Sequence, residues 1–287
     1  MKKLRILWAI CFTAVLALFC AWRIRELLTV DNSGPRFSCE NTALTVSIQD
    51  GEAALLKGVT AVDAKDGDVT DSIIVEKLSN FYGDGKRTVT YVAVDSDHHI
   101  AKLERELTYS DYTSPRFDLT GSLRFSTGEQ VDLYSCIQAT DCMDGDISNK
   151  IKVQLDSSIN NRIPGTYSVE YSVTNSAGET IYLPVEVEIY QYELGMAKLG
   201  LSDYLLYYDG EEPDYKSLLV SLQIGNTMRY FVGTKELETS TELPAHQEYV
   251  TVQSMVNPDV PGVYPVYLHY NDNHYEGMEI VMVVVEE

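Results

Sequence analysis

Two aspartate-rich runs are the residues of this 287-residue chain best placed to do chemistry. Ala61 to Thr70 reads AVDAKDGDVT, and Ala139 to Ser148 reads ATDCMDGDIS. Each sets three carboxylates around a single glycine: Asp63, Asp66 and Asp68 in the first, Asp141, Asp144 and Asp146 in the second. Asp95 follows a later strand-like segment of the first copy, and Asn175 takes its place in the second. Carboxylates converging on one turn repel one another unless a cation sits among them, and hard oxygen donors suit calcium. Calcium held by Asp63, Asp66, Asp68 and Asp95, and by Asp141, Asp144 and Asp146, is therefore one reading, with Asn175 weakening the second set. The other is structural: an Asp in a tight turn accepts from backbone N–H groups two or three residues on. The spacing is not that of an EF-hand loop and no bidentate Glu follows at the required place, which favours the turn.

Other chemistries find no constellation. His98 and His99 are adjacent, so on a strand they would point to opposite faces, and His246, His269 and His274 are scattered. There is no Cys-x-x-Cys, His-x-Glu, Gly-x-Ser-x-Gly or phosphate loop, so the expectation is a protein that is not an enzyme and needs no cofactor other than calcium. The net charge of −21, from 22 basic and 43 acidic residues, repels phosphate backbones and argues against a nucleic-acid partner.

The elements that carry the aspartates come in copies. Asp31 to Phe37 (DNSGPRF) recurs 80 positions on as Asp111 to Phe117 (DYTSPRF), and Gly85 to Tyr91 recurs at the same offset as Gly165 to Tyr171. The aspartate runs are 78 apart. Matches in one order at nearly one offset define two sister modules, 31–110 and 111–190. Asp31 and Asp111, each ahead of a proline, read as linker openings. Segments such as Arg87 to Val94 and Thr166 to Val173 alternate β-branched and aromatic residues with polar ones, the pattern of strands with one buried face. Glycine-bearing turns separate them, and short strands in units of this size predict Greek-key sandwiches. A third module, 191–287, keeps one landmark: PGVYPVYLHY from Pro261 matches PGTYSVEYSV from Pro164 in its Pro, Gly, Tyr and Val. Its tyrosines (204, 207, 208, 215, 230, 249, 264, 267, 270 and 275) read as surface aromatics that could face a glycan or peptide.

Residues 1–30 set the compartment. Lys2, Lys3 and Arg5 precede an uncharged run from Ile6 to Trp22, closed by Arg23 and Arg25. Ala17-Leu18-Phe19 and Phe19-Cys20-Ala21 each place Phe where signal cleavage needs small residues, so the reading is a retained transmembrane signal-anchor rather than a cleaved signal, with the N-terminus inside and the modules outside. Secretion after cleavage is the alternative. Cys136 and Cys142 could bridge only if the chain turns back between them; two unpaired thiols is the favoured reading.

The pattern Asp-x-x-Asp-Gly-Asp-[Val/Ile]-[Thr/Ser], then Gly-x-x-x-Val-x-Tyr, then an Asp- or Asn-bearing turn, resembles the bacterial Ig-like module named after the tail of a pesticidal crystal protein, a relative of hyalin-repeat modules. The resemblance covers 31–190 and is looser over 191–287. It implies tandem modules of exported proteins serving as spacers or adhesive stalks. The expected architecture is all-β: tandem Ig-like Greek-key sandwiches after one N-terminal transmembrane helix. The expected function is that of a non-catalytic, membrane-anchored bacterial surface protein displaying its C-terminal module. An adhesin binding extracellular glycan or protein through that module, or a scaffold subunit of an envelope complex, is the alternative.

Overall fold

The computed structural model describes residues 2–29, 33–83, 85–225, 227–230 and 248–286. They form two compact units, residues 1–112 and 113–287.

The first unit opens with α1, Lys2–Thr29, on which Ile6, Trp8, Phe12 and Leu18 are all more than half exposed. Among the described residues no helix is long and apolar enough to cross a membrane, which corrects the expected transmembrane span. The uncharged run of 17 residues makes about 26 Å of helix, short of a hydrocarbon core of about 30 Å, and basic residues bracket it on both sides.

The rest of this unit is a sandwich of seven strands: β1 (Arg36–Cys39), β2 (Ala43–Val46), β3 (Val59–Asp63), β4 (Gly67–Asp68), β5 (Ile74–Leu78), β6 (Lys86–Val94) and β7 (Ile100–Tyr109). One sheet runs β1-β3-β4, the other β2-β7-β6-β5. All pairings are antiparallel except β2 with β7. The chain thus changes sheets between β1 and β2, giving each sheet a short edge from one broken segment; short edges limit pairing with other chains. Val59, Ala61, Val89, Tyr91, Ala93 and Leu107 fill the space between the sheets, the inward residues of alternating strands.

The second unit repeats this twice. Its strands are β8 (Arg116–Leu119), β9 (Arg124–Ser126), β10 (Ile137–Asp141), β11 (Gly145–Asp146), β12 (Lys152–Leu155), β13 (Gly165–Thr174) and β14 (Thr180–Tyr190), then β15 (Ala197–Leu201), β16 (Leu205–Tyr207), β17 (Leu219–Ile224), β18 (Thr227–Tyr230), β19 (Val250–Ser254), β20 (Gly262–Asn271) and β21 (Glu276–Val285). The sheets are β8-β10-β11 with β9-β14-β13-β12, and β15-β17-β18 with β16-β21-β20-β19. The parallel pairing recurs between β9 and β14 and between β16 and β21. All three sets of strands therefore share one topology, including the third, whose sequence has diverged.

The two sandwiches of this unit are fused side by side. Leu205 and Met282 of the later one belong to the core of the earlier, with Ile280 and Val284 packed against it. Val281 and Val283 of the same strand face the later core. β21 is covered on both faces, so Met278 to Val285 reads as a nearly continuous apolar run instead of an alternation.

Candidate functional site

The aspartates sit where a hairpin and a later turn meet at one end of each sister sandwich. In the first, Asp63 Oδ1 accepts from the N–H groups of Lys65 (2.8 Å) and Asp66 (2.9 Å), closing the β3–β4 turn at Gly67, whose φ of 75° suits glycine. Asp68 accepts from Thr70 N–H at 2.9 Å. Asp66 reaches the neighbouring turn and accepts from Ser96 N–H (2.7 Å) and Oγ (2.8 Å), which hold its carboxyl below the usual range. Burial alone would raise the Asp95 carboxyl; the His99 N–H and ring, both at 2.8 Å, outweigh it and keep it low. The second sandwich reproduces the arrangement. Asp141 accepts from Met143 and Asp144 N–H, Asp146 from Ser148, and Asp144 from Ser176 and Lys150.

In each sandwich the predicted carboxylates are engaged separately, by backbone N–H groups, by hydroxyls and by His99 or Lys150. Among the described residues no three His, Cys, Asp or Glu side chains are grouped so as to hold a metal ion. The hydrogen bonds of Asp63 and Asp141 to the N–H groups two and three residues on are those of Asx turns. One difference separates the copies. Asn175 Nδ2 donates to Asp141 Oδ2 at 3.2 Å, whereas the first copy has Asp95 at this place and Asp63 Oδ2 is buried with no hydrogen-bond partner. Asp111 binds Ser47 Oγ (2.7 Å) and Ile48 N–H (2.8 Å), tying the end of β7 to the loop after β2. Asp31 and His246 lie outside the described residues.

The described cysteines are free: Cys136 is buried, and the exposed Cys142 donates to the Thr113 carbonyl at 3.0 Å. The tyrosines of the third module do not form the expected surface. Tyr215 and Tyr270 are core residues, and Tyr204 and Tyr207 pack where the two sandwiches join. Tyr249 and Tyr275 are the exposed ones among those whose side chains are described. For Tyr204 and Tyr207 the reason is the fused core, which covers a face that an isolated sandwich would leave in solvent; Tyr215 and Tyr270 fill the later sandwich's own core.

That junction carries a polar cluster. Glu279 has 2% of its surface exposed. Its Oε1 accepts from Ser122 Oγ (2.8 Å) on the loop before β9 and from the N–H of Ile280 (3.1 Å). Burial pushes its carboxyl up to about 7, against the opposing pull of Arg124 and Ser122. Arg124 is itself nearly buried; it donates to Glu188 Oε2 at 2.7 Å and to the Met278 carbonyl, and lies 4.8 Å from the Tyr190 ring centroid. On the other side of the junction Arg116 pairs with Glu286 (2.5 Å) and covers the Tyr207 ring, while Phe117 N–H donates to Tyr207 Oη at 2.9 Å. The sequence held one signal of this cluster: Glu279 falls in the buried alternation with Val281, Val283 and Val285, where an acid is out of place.

Residues 124–188, which span β9 to most of β14, match the family model of a bacterial surface protein, Ig-like domain. No curated protein matches the sequence. Among solved structures, the CBM51-2 and INT domains of ZmpB from Clostridium perfringens, solved in complex with GlcNAc, are similar at 17% identity over 53% of this chain and 41% of that one, with a TM-score of 0.23. A lipoprotein from Bacteroides thetaiotaomicron is similar at 12% identity over 59% and 99%, with a TM-score of 0.24. Domains 4–9 of the surface layer protein SbsC are similar at 11% identity over 87% and 49%, with a TM-score of 0.21. The chain spans about two fifths of the first of these, and at such scores the likenesses do not bear on function. What stands is a mostly β chain with a bacterial surface Ig-like domain at residues 124–188.

Proposed function

We propose that the chain is a non-catalytic bacterial surface protein, held at the membrane by α1, whose modules 31–110, 111–190 and 191–287 serve as an Ig-like stalk that presents an interaction surface outside the cell. The observation that carries this reading is that, among the described residues, one topology of seven strands is used three times, with the carboxylates of the acidic turns in the first two engaged in holding those turns. A scaffold repeated in tandem supplies reach and surface, and the chemistry of its repeated residues here is structural. The resemblance of 31–190 to the pesticidal-crystal-tail type of module, and the match of 124–188 to a bacterial surface Ig-like domain, support export. α1 supports attachment without a span: its described apolar side chains are exposed and basic residues flank them, so it offers lipid an apolar surface and the headgroups a set of cations.

Two measurements on bacteria expressing the full chain test this. Protease added to intact cells should digest the modules, and the chain should sediment with the membrane fraction. Deleting residues 2–29 should release it. Protection of the modules in intact cells, or recovery of the full chain in the soluble fraction, would overturn the proposal.

A further inference from the structure

The two sandwiches of residues 113–287 meet along a trough that neither stalk nor anchor requires. At its centre is a depression of about 250 Å³ bounded by Arg124, Tyr190, Lys198, His269, Glu276 and Glu279. On one side it shares Tyr190 and Lys198 with a second depression, of about 330 Å³, which continues past Glu129 to Tyr192. On the other it shares Asn271 and Glu276 with a third, of about 200 Å³, which ends at Tyr275. The three depressions therefore adjoin one another along shared walls, and each is of a size to take a small ring.

The lining selects the ligand class. Arg124 pairs with Glu188 at 2.7 Å and Lys198 with Glu129 at 3.4 Å, and Glu276 adds a further carboxylate, so the walls carry both signs. An apolar ligand would strip water from these groups and give nothing back. A polyanion would meet Glu129, Glu276 and a chain of net charge −21; a polycation would meet Arg124 and Lys198. A neutral molecule rich in hydroxyls can donate to the carboxylates, accept from Lys198 and Asn271, and lay flat C–H faces on tyrosine. Tyr192, 44% exposed, and Tyr275, 38% exposed, stand at opposite ends of the trough, with Tyr190 between them held under the Arg124 guanidinium. The walls are also preorganised. β15 lies so close to β21 that a side chain at Gly277 would strike the Ala197 carbonyl and Leu199 Cδ1, and the partly buried Arg124–Glu188 pair holds the Arg124 side of the wall.

We infer that this trough binds a neutral glycan chain, with one sugar ring in each of its three depressions and Tyr192 and Tyr275 as the end platforms. The test uses the full chain in a sugar-free zwitterionic detergent, titrated calorimetrically with chitotriose, cellotriose, maltotriose and xylotriose. At least one should bind, and more tightly than its own monosaccharide. Tyr192→Ala and Tyr275→Ala should each weaken binding about 3- to 10-fold, the value of one aromatic platform, without lowering the melting temperature. If either variant melts lower, Lys198→Ala and Asn271→Ala, which also line the walls, take its place. The inference is overturned if no neutral trisaccharide binds at roughly 10 mM, beyond the weak end of specific recognition. It is equally overturned if binding is indifferent to these substitutions, or if an extended uncharged peptide binds the trough and the trisaccharides do not.

Discussion

Glu279 gives the second unit a stability that falls as pH rises, and Glu279→Gln should abolish that fall. An unfolded Glu ionises near its ordinary 4.5, while the buried carboxyl holds its proton to about 7. The folded unit therefore binds more protons between these values. The contribution of Glu279 is fully present below pH 4.5, declines through the interval and reaches its minimum above 7. The interval corresponds to about 3 kcal/mol. Gln keeps an acceptor for Ser122 Oγ and Ile280 N–H and carries no charge to desolvate. Wild type and variant should thus melt together at pH 5 and part by pH 8, where the variant should melt higher by roughly 6–12 °C for a unit of this size. Aspartates with lowered values act in the opposite direction and in another window. Ser176 holds the Asp144 carboxyl below 3.8, so that contribution is present above 3.8 and lost as pH falls further. Calorimetric melts of both proteins at pH 5, 6, 7 and 8 separate the two. A constant difference between wild type and variant across this range would refute the reasoning, because it would mean that Glu279 keeps one protonation state throughout.

Asn175→Asp removes the donor to Asp141 Oδ2 and should destabilise the second unit by about 1–3 kcal/mol at pH 7 in denaturant titrations. Asp95→Asn in the sister module should do the reverse, raising the melting temperature of the first unit by supplying a donor for the buried Asp63 Oδ2. Tyr171→Phe loses the hydrogen bond to the Leu133 carbonyl (2.9 Å) that ties the loop before β10 to the core, and should cost about 1 kcal/mol by the same titration. Gly277→Ala drives a methyl into the β15 backbone and should cost about 1–3 kcal/mol or more, read as a lowered melting transition for residues 113–287 alone.

The sister modules were legible because their strands and turns recur at a fixed offset, and the third because Pro261 to Tyr270 keeps the register of Pro164 to Val173. The same alternation that marked β13 and β20 as strands also told which residues point inward: Val169, Tyr171 and Val173, then Val266, Leu268 and Tyr270. The broken edge segments were not legible. β2, β9 and β16 have 4, 3 and 3 residues, too few for periodicity to separate a strand from a loop, and their parallel partners lie at the far end of each module. The aspartates announced a turn, but the partners of Asp66 and Asp144, Ser96 and Ser176, come from a different loop about 30 residues on and could not be read locally.

The junction shows why a site can escape a reading made module by module. Periodicity reports which face of a strand is buried, not what buries it. Tyr204 and Tyr207 look like surface aromatics when 191–287 is taken as a free sandwich, and become core when β21 is packed on both faces. Burial then raises the Tyr204 hydroxyl to about 12, so it stays a neutral donor and acceptor at any physiological pH. Glu279 was visible as an anomaly in a strand of valines, yet its partners Ser122 and Arg124 belong to the other sandwich, and no local pattern links them. The polar trough exists because two sandwiches, each with an ordinary exterior, share a wall. It follows that substitutions at the junction, more than those in either core, should change what this surface recognises while leaving the Ig-like topology in place.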